Sequence, residues 1–131
     1  MNFFTMTRRG HIVPKKSTKN QCKTQGHKKY FYEVKIVFSG LVELDKNGFI
    51  VKHEDLDKAI KASPAVGSCE QVHLDLRERL HRFFADKKLN WYVKGFKCTI
   101  YPTLSDINEG AFMSCIYVKN GSSPEVVGLL R

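Results

Sequence analysis

The sequence contains no apolar run that approaches the roughly 20 residues a membrane span needs. Its four cysteines lack the CxxC spacing of zinc ribbons and redox motifs, so neither class of protein is indicated. At the start of the chain the apolar residues precede the charged ones and no cleavage-site pattern follows, unlike a signal peptide. We therefore expect a cytoplasmic protein without a membrane partner.

Acidic residues are absent from residues 1–30, which carry eight lysines and arginines. The other 101 residues are almost neutral, with 14 basic and 13 acidic side chains. The net charge of +9 is therefore concentrated near one end of the chain. Such a segment attracts anions, which predicts phosphate, a nucleotide or nucleic acid as the partner. The alternative is a solvated basic surface that has no ligand.

Apolar residues make up 42% of the chain and aromatic residues 11%, as in folded proteins. The 131 residues fit a single domain with one core. Cys98 and Cys115 are predicted to be core thiols. Residues 120–131 are predicted to form a loosely ordered tail.

Hydrophobic periodicity and turn residues predict an α+β fold with the order ββααββ, an antiparallel sheet with two helices on one face. A bulge is expected near Ser39-Gly40, and Asp45-Lys46-Asn47-Gly48 is a turn signal. In the first helix Leu56, Ala59 and Ile60 share one face. A capping box formed by Ser68 and Gln71 begins the second helix, and His73 is expected at the surface or flank of that helix. The predicted buried stripe of the second helix is Val72, Leu76, Leu80, Phe83 and Phe84. The predicted elements are strands over 3–13, 29–43 and 49–51, helices over 53–63 and 68–88, and strands over 91–102 and 111–119.

The stretch GHKKYFYEVKIVFSGLVELDKNGFIVKHEDLDKAI carries a family resemblance. With the element order, it resembles the tunnelling-fold family of 6-pyruvoyl-tetrahydropterin synthase and 6-carboxy-tetrahydropterin synthase. That family shows HGH before a strand, a glycine-containing bend, a Gly-Met-Val turn exit and an amphipathic helix. The likeness covers roughly residues 4–118. It implies a homo-oligomer in which sheets of several subunits close into a barrel, with pockets for flat heterocycles between subunits.

The resemblance implies a zinc site held by three histidines, and this chain departs from it. His11 matches the first ligand and His27 the third, but Gln25 occupies the second position because the chain has QGH where the family has HGH. A neutral carboxamide is a poor zinc ligand, and two imidazoles bind zinc weakly. The expected cofactor is therefore none, with zinc on His11 and His27 as the alternative.

Other family residues are also missing, so the active site is predicted to be degenerate. The Leu-Asp-His that supplies the family's proton relay has no counterpart, and Pro102 stands where the family has the glutamate that anchors its substrate. Cys22 could stand for the catalytic cysteine, although its spacing to HGH is short. Glu70 resembles the glutamate of the family's Thr-Glu-Asn, and it also suits a first helical turn on electrostatic grounds alone.

Three functions from different classes follow from these observations. The first is a non-catalytic protein that binds or sequesters a nucleotide-like or pterin-like ligand at subunit interfaces. The second is a zinc-dependent lyase of the pterin synthase type, and the third is a basic nucleic-acid-binding module. If the protein binds a nucleotide-like ligand, we expect the phosphates of the ligand to contact the basic side chains and its heterocycle to lie near the histidines. The predicted ligand-binding residues are Arg8, Arg9, His11, Gln25, His27, Lys28, Lys29 and Glu70.

Overall fold

The computed structural model describes residues 2–13, 30–63, 69–101 and 113–131. These residues form an α+β fold in which a four-stranded antiparallel sheet is combined with helices. No helix in these four segments has both the length and the apolar composition that crossing a membrane requires. In chain order the elements are β1 (Phe3–Ile12), β2 (Tyr30–Ser39), α1 (His53–Lys61), α2 (Cys69–Asp86), β3 (Val93–Tyr101), β4 (Met113–Val118) and α3 (Pro124–Leu130).

The strands lie in the sheet in the order β1-β2-β3-β4, so β1 and β4 are the edges of the described sheet. Successive residues of a strand point to opposite faces, and the even-numbered residues of β2 from Tyr30 to Phe38 are buried beneath α1 and α2. We call this helix-covered side the inner face and the opposite side the outer face. A register shift between Val37 and Phe38 marks a bulge, two residues before the predicted position.

The main core lies between the inner face and the two long helices. Leu56 and Ile60 on α1 are fully buried, as the predicted amphipathic pattern requires. On α2 four residues of the predicted stripe are also buried (Val72, Leu76, Leu80 and Phe84), and the fifth, Phe83, is half-buried. The Phe84 ring meets Phe38 edge to face at 6.0 Å. Burial of each such side chain contributes about 1.5–3 kcal/mol to stability, so this interface holds the helices on the sheet.

Residues 49–51 are not a strand, contrary to the prediction. The carboxylate of Asp45 accepts hydrogen bonds from the backbone amides of Asn47 and Phe49, at 2.8 and 2.9 Å. These bonds lower the pKa of Asp45, the Phe49 amide contributing most. Because the Asp45 side chain accepts a hydrogen bond from the Phe49 amide, the turn extends into residues 49–51, the segment that the sequence predicted to be a strand. Val51 is nevertheless buried in the core.

Residues 124–130, within the segment predicted to be a loosely ordered tail, form α3. Val126 and Leu130 are buried against Val37 on the outer face, in a second small cluster that includes Phe3 and Val118. Leu130 fits there because Gly95 has no side chain; a Cβ at Gly95 would lie 2.9 Å from Leu130 Cδ1. The pattern Val126-x-x-x-Leu130 is one helical stripe, and the small number of apolar residues had concealed it.

His73 is buried, which corrects the prediction that it lies at the surface or flank of α2. Its Nε2 lies 3.1 Å from the carbonyl oxygen of Met113 and donates to it, which joins α2 to the first residue of β4. A buried imidazole is tolerated because this polar atom is satisfied. Cys98 is buried as predicted, Cys115 is half-buried opposite it, and both are free thiols. Burial, with a smaller effect from Cys115, raises the pKa of the Cys98 thiol far above its ordinary value.

Candidate functional site

Arg8 and Arg9 lie on opposite faces of β1, because neighbouring residues of a strand alternate. Arg8 is on the inner face and donates two hydrogen bonds to Asp57 of α1, from Nε at 2.9 Å and from Nη2 at 2.6 Å. Its Nη1 also lies 3.3 Å from Nδ1 of His53. This pairing lowers the pKa of Asp57 and raises that of Arg8. The guanidinium predicted to contact phosphate therefore joins β1 to α1.

Tyr32 lies beside this ion pair on the inner face. Its hydroxyl is buried and has no hydrogen-bond partner among the described residues. Burial raises the pKa of Tyr32, with a smaller contribution from the negative charge of Asp57. The ring packs over Gly10, its cross-strand neighbour, where an added Cβ would lie 2.6 Å from the hydroxyl oxygen. Gly10 is required here because any side chain would displace the tyrosine.

Arg9 points to the outer face, where its Nε donates to Glu33 of β2 at 2.7 Å. The arginine side chain remains 75% exposed. The strand registers place Thr99 and Ser114 next along the same row, and their hydroxyl oxygens are 3.0 Å apart. Arg9 thus begins a polar row that crosses all four strands.

His11, the first predicted zinc ligand, is exposed near the end of β1. It pairs in register with Phe31 of β2, which in turn pairs with Tyr101 of β3. All three are odd-numbered positions, so they share the outer face with Arg9. The result is an aromatic row of three rings beside the polar row.

Two lysines form the next row of the outer face. Lys35 of β2 lies directly opposite Lys97 of β3, and both side chains are half-buried. Within the described segments, neither ammonium group is in an ion pair. Like charges directly opposite each other in a sheet destabilise it, unless an anion lies between them. The pairing of these lysines depends on the register of β2 and β3, so residue spacing alone does not predict it.

The predictions for Gln25, His27, Lys28 and Lys29 lie outside the described residues, as does that for Cys22. The chain leaves the described region after Val13 and returns at Tyr30, next to His11 and Phe31. It leaves again after Tyr101, at the same end of the sheet. The basic and histidine-containing segment of the sequence is therefore joined to the sheet at the aromatic row.

Glu70 lies exposed in the first turn of α2. The helix α2 covers the inner face of the sheet, whereas Arg9 and His11 lie on the outer face. The position of Glu70 agrees with the favourable interaction of a carboxylate with a helix N-terminus.

The described residues contain no group of three or more histidine, cysteine, aspartate or glutamate side chains that could hold a metal ion. Two of the three positions that the family resemblance implies, Gln25 and His27, are outside those residues. The zinc site therefore stays a prediction from sequence.

Comparison with known proteins does not assign the chain to a family. No protein-family model matches the sequence. No curated protein matches it with significant similarity. The tunnelling-fold resemblance therefore rests on the motifs and on the order of elements.

Proposed function

We propose that this protein is a non-catalytic binding protein for a nucleotide-like ligand, a flat heterocycle that carries phosphate. The observation that supports this most directly is the pair Lys35 and Lys97, opposed on the outer face without an acidic partner among the described residues. A phosphate between the two ammonium groups would turn their repulsion into two charge-assisted hydrogen bonds.

The aromatic row gives the heterocycle a place on the same face. Phe31 is four residues from Lys35 along β2, which corresponds to about 13 Å of strand. His11 and Tyr101 flank Phe31 on the same face, and a flat heterocycle can stack on a row of rings of this kind. Arg9 lies between the two rows, and its charge is shared with Glu33. A ligand lying along β2 would meet the rings at one end and the lysines at the other.

We further propose that the chain has the tunnelling fold and assembles with other copies, so that the ligand lies at subunit interfaces. The support is the family resemblance together with the two edges of the described sheet, β1 and β4. An edge strand presents unpaired backbone groups, and closing sheets into a barrel removes them.

The binding function is proposed without catalysis or zinc because Gln25 replaces a ligand histidine and the Leu-Asp-His of the family is absent. Elemental analysis of the purified protein is expected to give much less than one zinc per chain. About one zinc per chain, lost in His27→Ala, would contradict this and support the lyase.

Calorimetry with mono-, di- and cyclic nucleotides tests the binding function. Lys97→Ala and Arg9→Ala should each weaken binding about tenfold or more, since a charge-assisted contact is worth roughly 1.5–3 kcal/mol. Lys58→Ala is the matched control because Lys58 is an exposed lysine on α1, on the other side of the sheet. Absence of binding below millimolar nucleotide, or equal losses in Lys97→Ala and Lys58→Ala, would refute the proposal.

A further inference from the structure

A surface groove runs between α2 and β4, away from the outer face. It consists of two adjoining cavities of about 310 and 530 Å³, which share His81 and Tyr117. One cavity reaches Trp91 and Lys119, and the other reaches Arg77. Arg77 and His81 are one helical turn apart, so the groove follows the axis of α2.

Aromatic rings form the surface of this groove. Trp91 is 76% exposed, and the ammonium of Lys119 lies 5.4 Å from the centre of its ring, within cation–π distance. Tyr117 is held by an edge-to-face contact with His81 at 4.4 Å and by Phe96 at 5.3 Å. The groove therefore combines a fixed ring, Tyr117, with a large apolar ring exposed to solvent, Trp91.

The charge in the groove is positive. Lys119 and Arg77 are in no ion pair with a described residue. Glu78, the acidic residue along the groove, is already paired with Arg82. Burial lowers the pKa of His81, and the charge of Arg77 lowers it further. Both effects favour the neutral imidazole, which can donate or accept a hydrogen bond.

From this geometry we propose that the groove binds single-stranded nucleic acid. Bases stack on Trp91 and Tyr117, and Lys119 and Arg77 contact the phosphates between them. Rings interleaved with unpaired cations are the usual surface for a single strand, because every base has a face that can stack. The two adjoining cavities are open to solvent, and each is lined by a cation, Lys119 in one and Arg77 in the other, so the groove fits a chain better than an enclosed small molecule. The inference is independent of the nucleotide site on the outer face.

The test uses the full chain with short oligothymidylate and oligoadenylate. Trp91 is the one tryptophan of the sequence, so quenching of its fluorescence reports binding at the groove directly. We expect saturable quenching by both oligonucleotides at low salt. In anisotropy titrations with labelled oligonucleotides, Trp91→Ala should weaken binding roughly fivefold to a hundredfold, and Trp91→Phe should restore part of it. Phe49→Ala removes another exposed ring and is the matched control.

The salt dependence separates phosphate contacts from stacking. Lys119→Ala and Arg77→Ala should each reduce the slope of log K against log salt by about 0.7, the contribution of one phosphate contact on a single strand. Lys46→Ala, a lysine in the exposed turn after β2, should leave the slope unchanged.

Three outcomes would refute the inference. They are no quenching at low salt, an affinity unchanged by Trp91→Ala, or saturation by free mononucleotide with no gain from an oligonucleotide. Lys97→Ala should leave oligonucleotide quenching intact while it weakens nucleotide binding in calorimetry. Failure of either site can therefore be recognised separately from failure of the other.

Discussion

Arg8 on β1 and Asp57 on α1, separated by 49 residues in the chain, form a two-point ion pair at the edge of the main core. Both side chains are about three-quarters buried, with exposures of 27% and 23%. The ion pair fixes α1 against the edge strand β1, whose strand neighbour in the described sheet is β2.

Removing one partner of this pair should destabilise the fold. Arg8→Ala or Asp57→Asn is expected to lower the free energy of unfolding by about 1.5–3 kcal/mol, because a charge-assisted hydrogen bond is lost and the other group stays partly buried. Urea denaturation of both single variants and the double variant measures their coupling. Arg9→Ala is the control: its exposed pair with Glu33 should contribute less than about 1 kcal/mol. Purely additive effects of Arg8→Ala and Asp57→Asn would contradict the pairing.

Stability should fall on mild acidification because of His81. The pKa of His81 is lowered in the folded state, so the unfolded chain binds its proton more readily. The stability that neutral His81 contributes is fully present above 6.5, the ordinary pKa of histidine. It is lost as the pH falls below that value. Urea denaturation at about pH 7.5 and 5.5 measures how much the free energy of unfolding falls between these two pH values. This fall should be smaller for His81→Asn than for the unchanged protein. Equal differences would show that His81 does not contribute.

Leu130 should account for much of the stability of α3. Leu130→Ala leaves a cavity beside Val37 and Gly95, and we expect a loss of about 2–4 kcal/mol. The adjacent Leu129 is 36% exposed, so Leu129→Ala should cost less than about 1 kcal/mol. Thermal denaturation of the two variants compares them directly. Similar losses in both would mean that α3 does not pack as described.

The protein should be an oligomer in solution. In the described sheet β1 and β4 each have a neighbouring strand on one side, and the proposed barrel would cover their other sides with copies of the same chain. Light scattering at micromolar concentration is expected to give a mass several times that of one 15.1 kDa chain. A stable monomer would remove support from the tunnelling-fold assignment and from a ligand site between subunits.

Local patterns predicted the long elements correctly. Alternation along Tyr30–Ser39 and the stripe of α2 depend on residues within each element, so they can be recognised without tertiary information. The failures have two causes. Asp45 closes its turn through the amide of Phe49, a local hydrogen bond that residue alternation does not reveal. His73 is buried because the carbonyl of Met113, which is distant in the chain, accepts its hydrogen bond.

The candidate sites were harder to predict because they depend on register. Arg8 and Arg9 are consecutive and equally basic, yet one meets Asp57 and the other Glu33. The pairing of Lys35 with Lys97 depends on how β2 and β3 align. Trp91 precedes β3 in the chain and Lys119 follows β4, and the antiparallel pairing of these two strands brings the two residues together. No spacing in the sequence encodes these three relationships.

The contact between Gly10 and the Tyr32 ring has a consequence for the alignment of β1. A slip of two residues would keep the same faces but place Arg8 or Ile12 over Tyr32, where even a Cβ does not fit. The same slip would carry Arg8 away from Asp57. Two independent contacts therefore specify one alignment of β1, so any neighbouring chain that paired with this strand would meet its donors and acceptors at fixed positions.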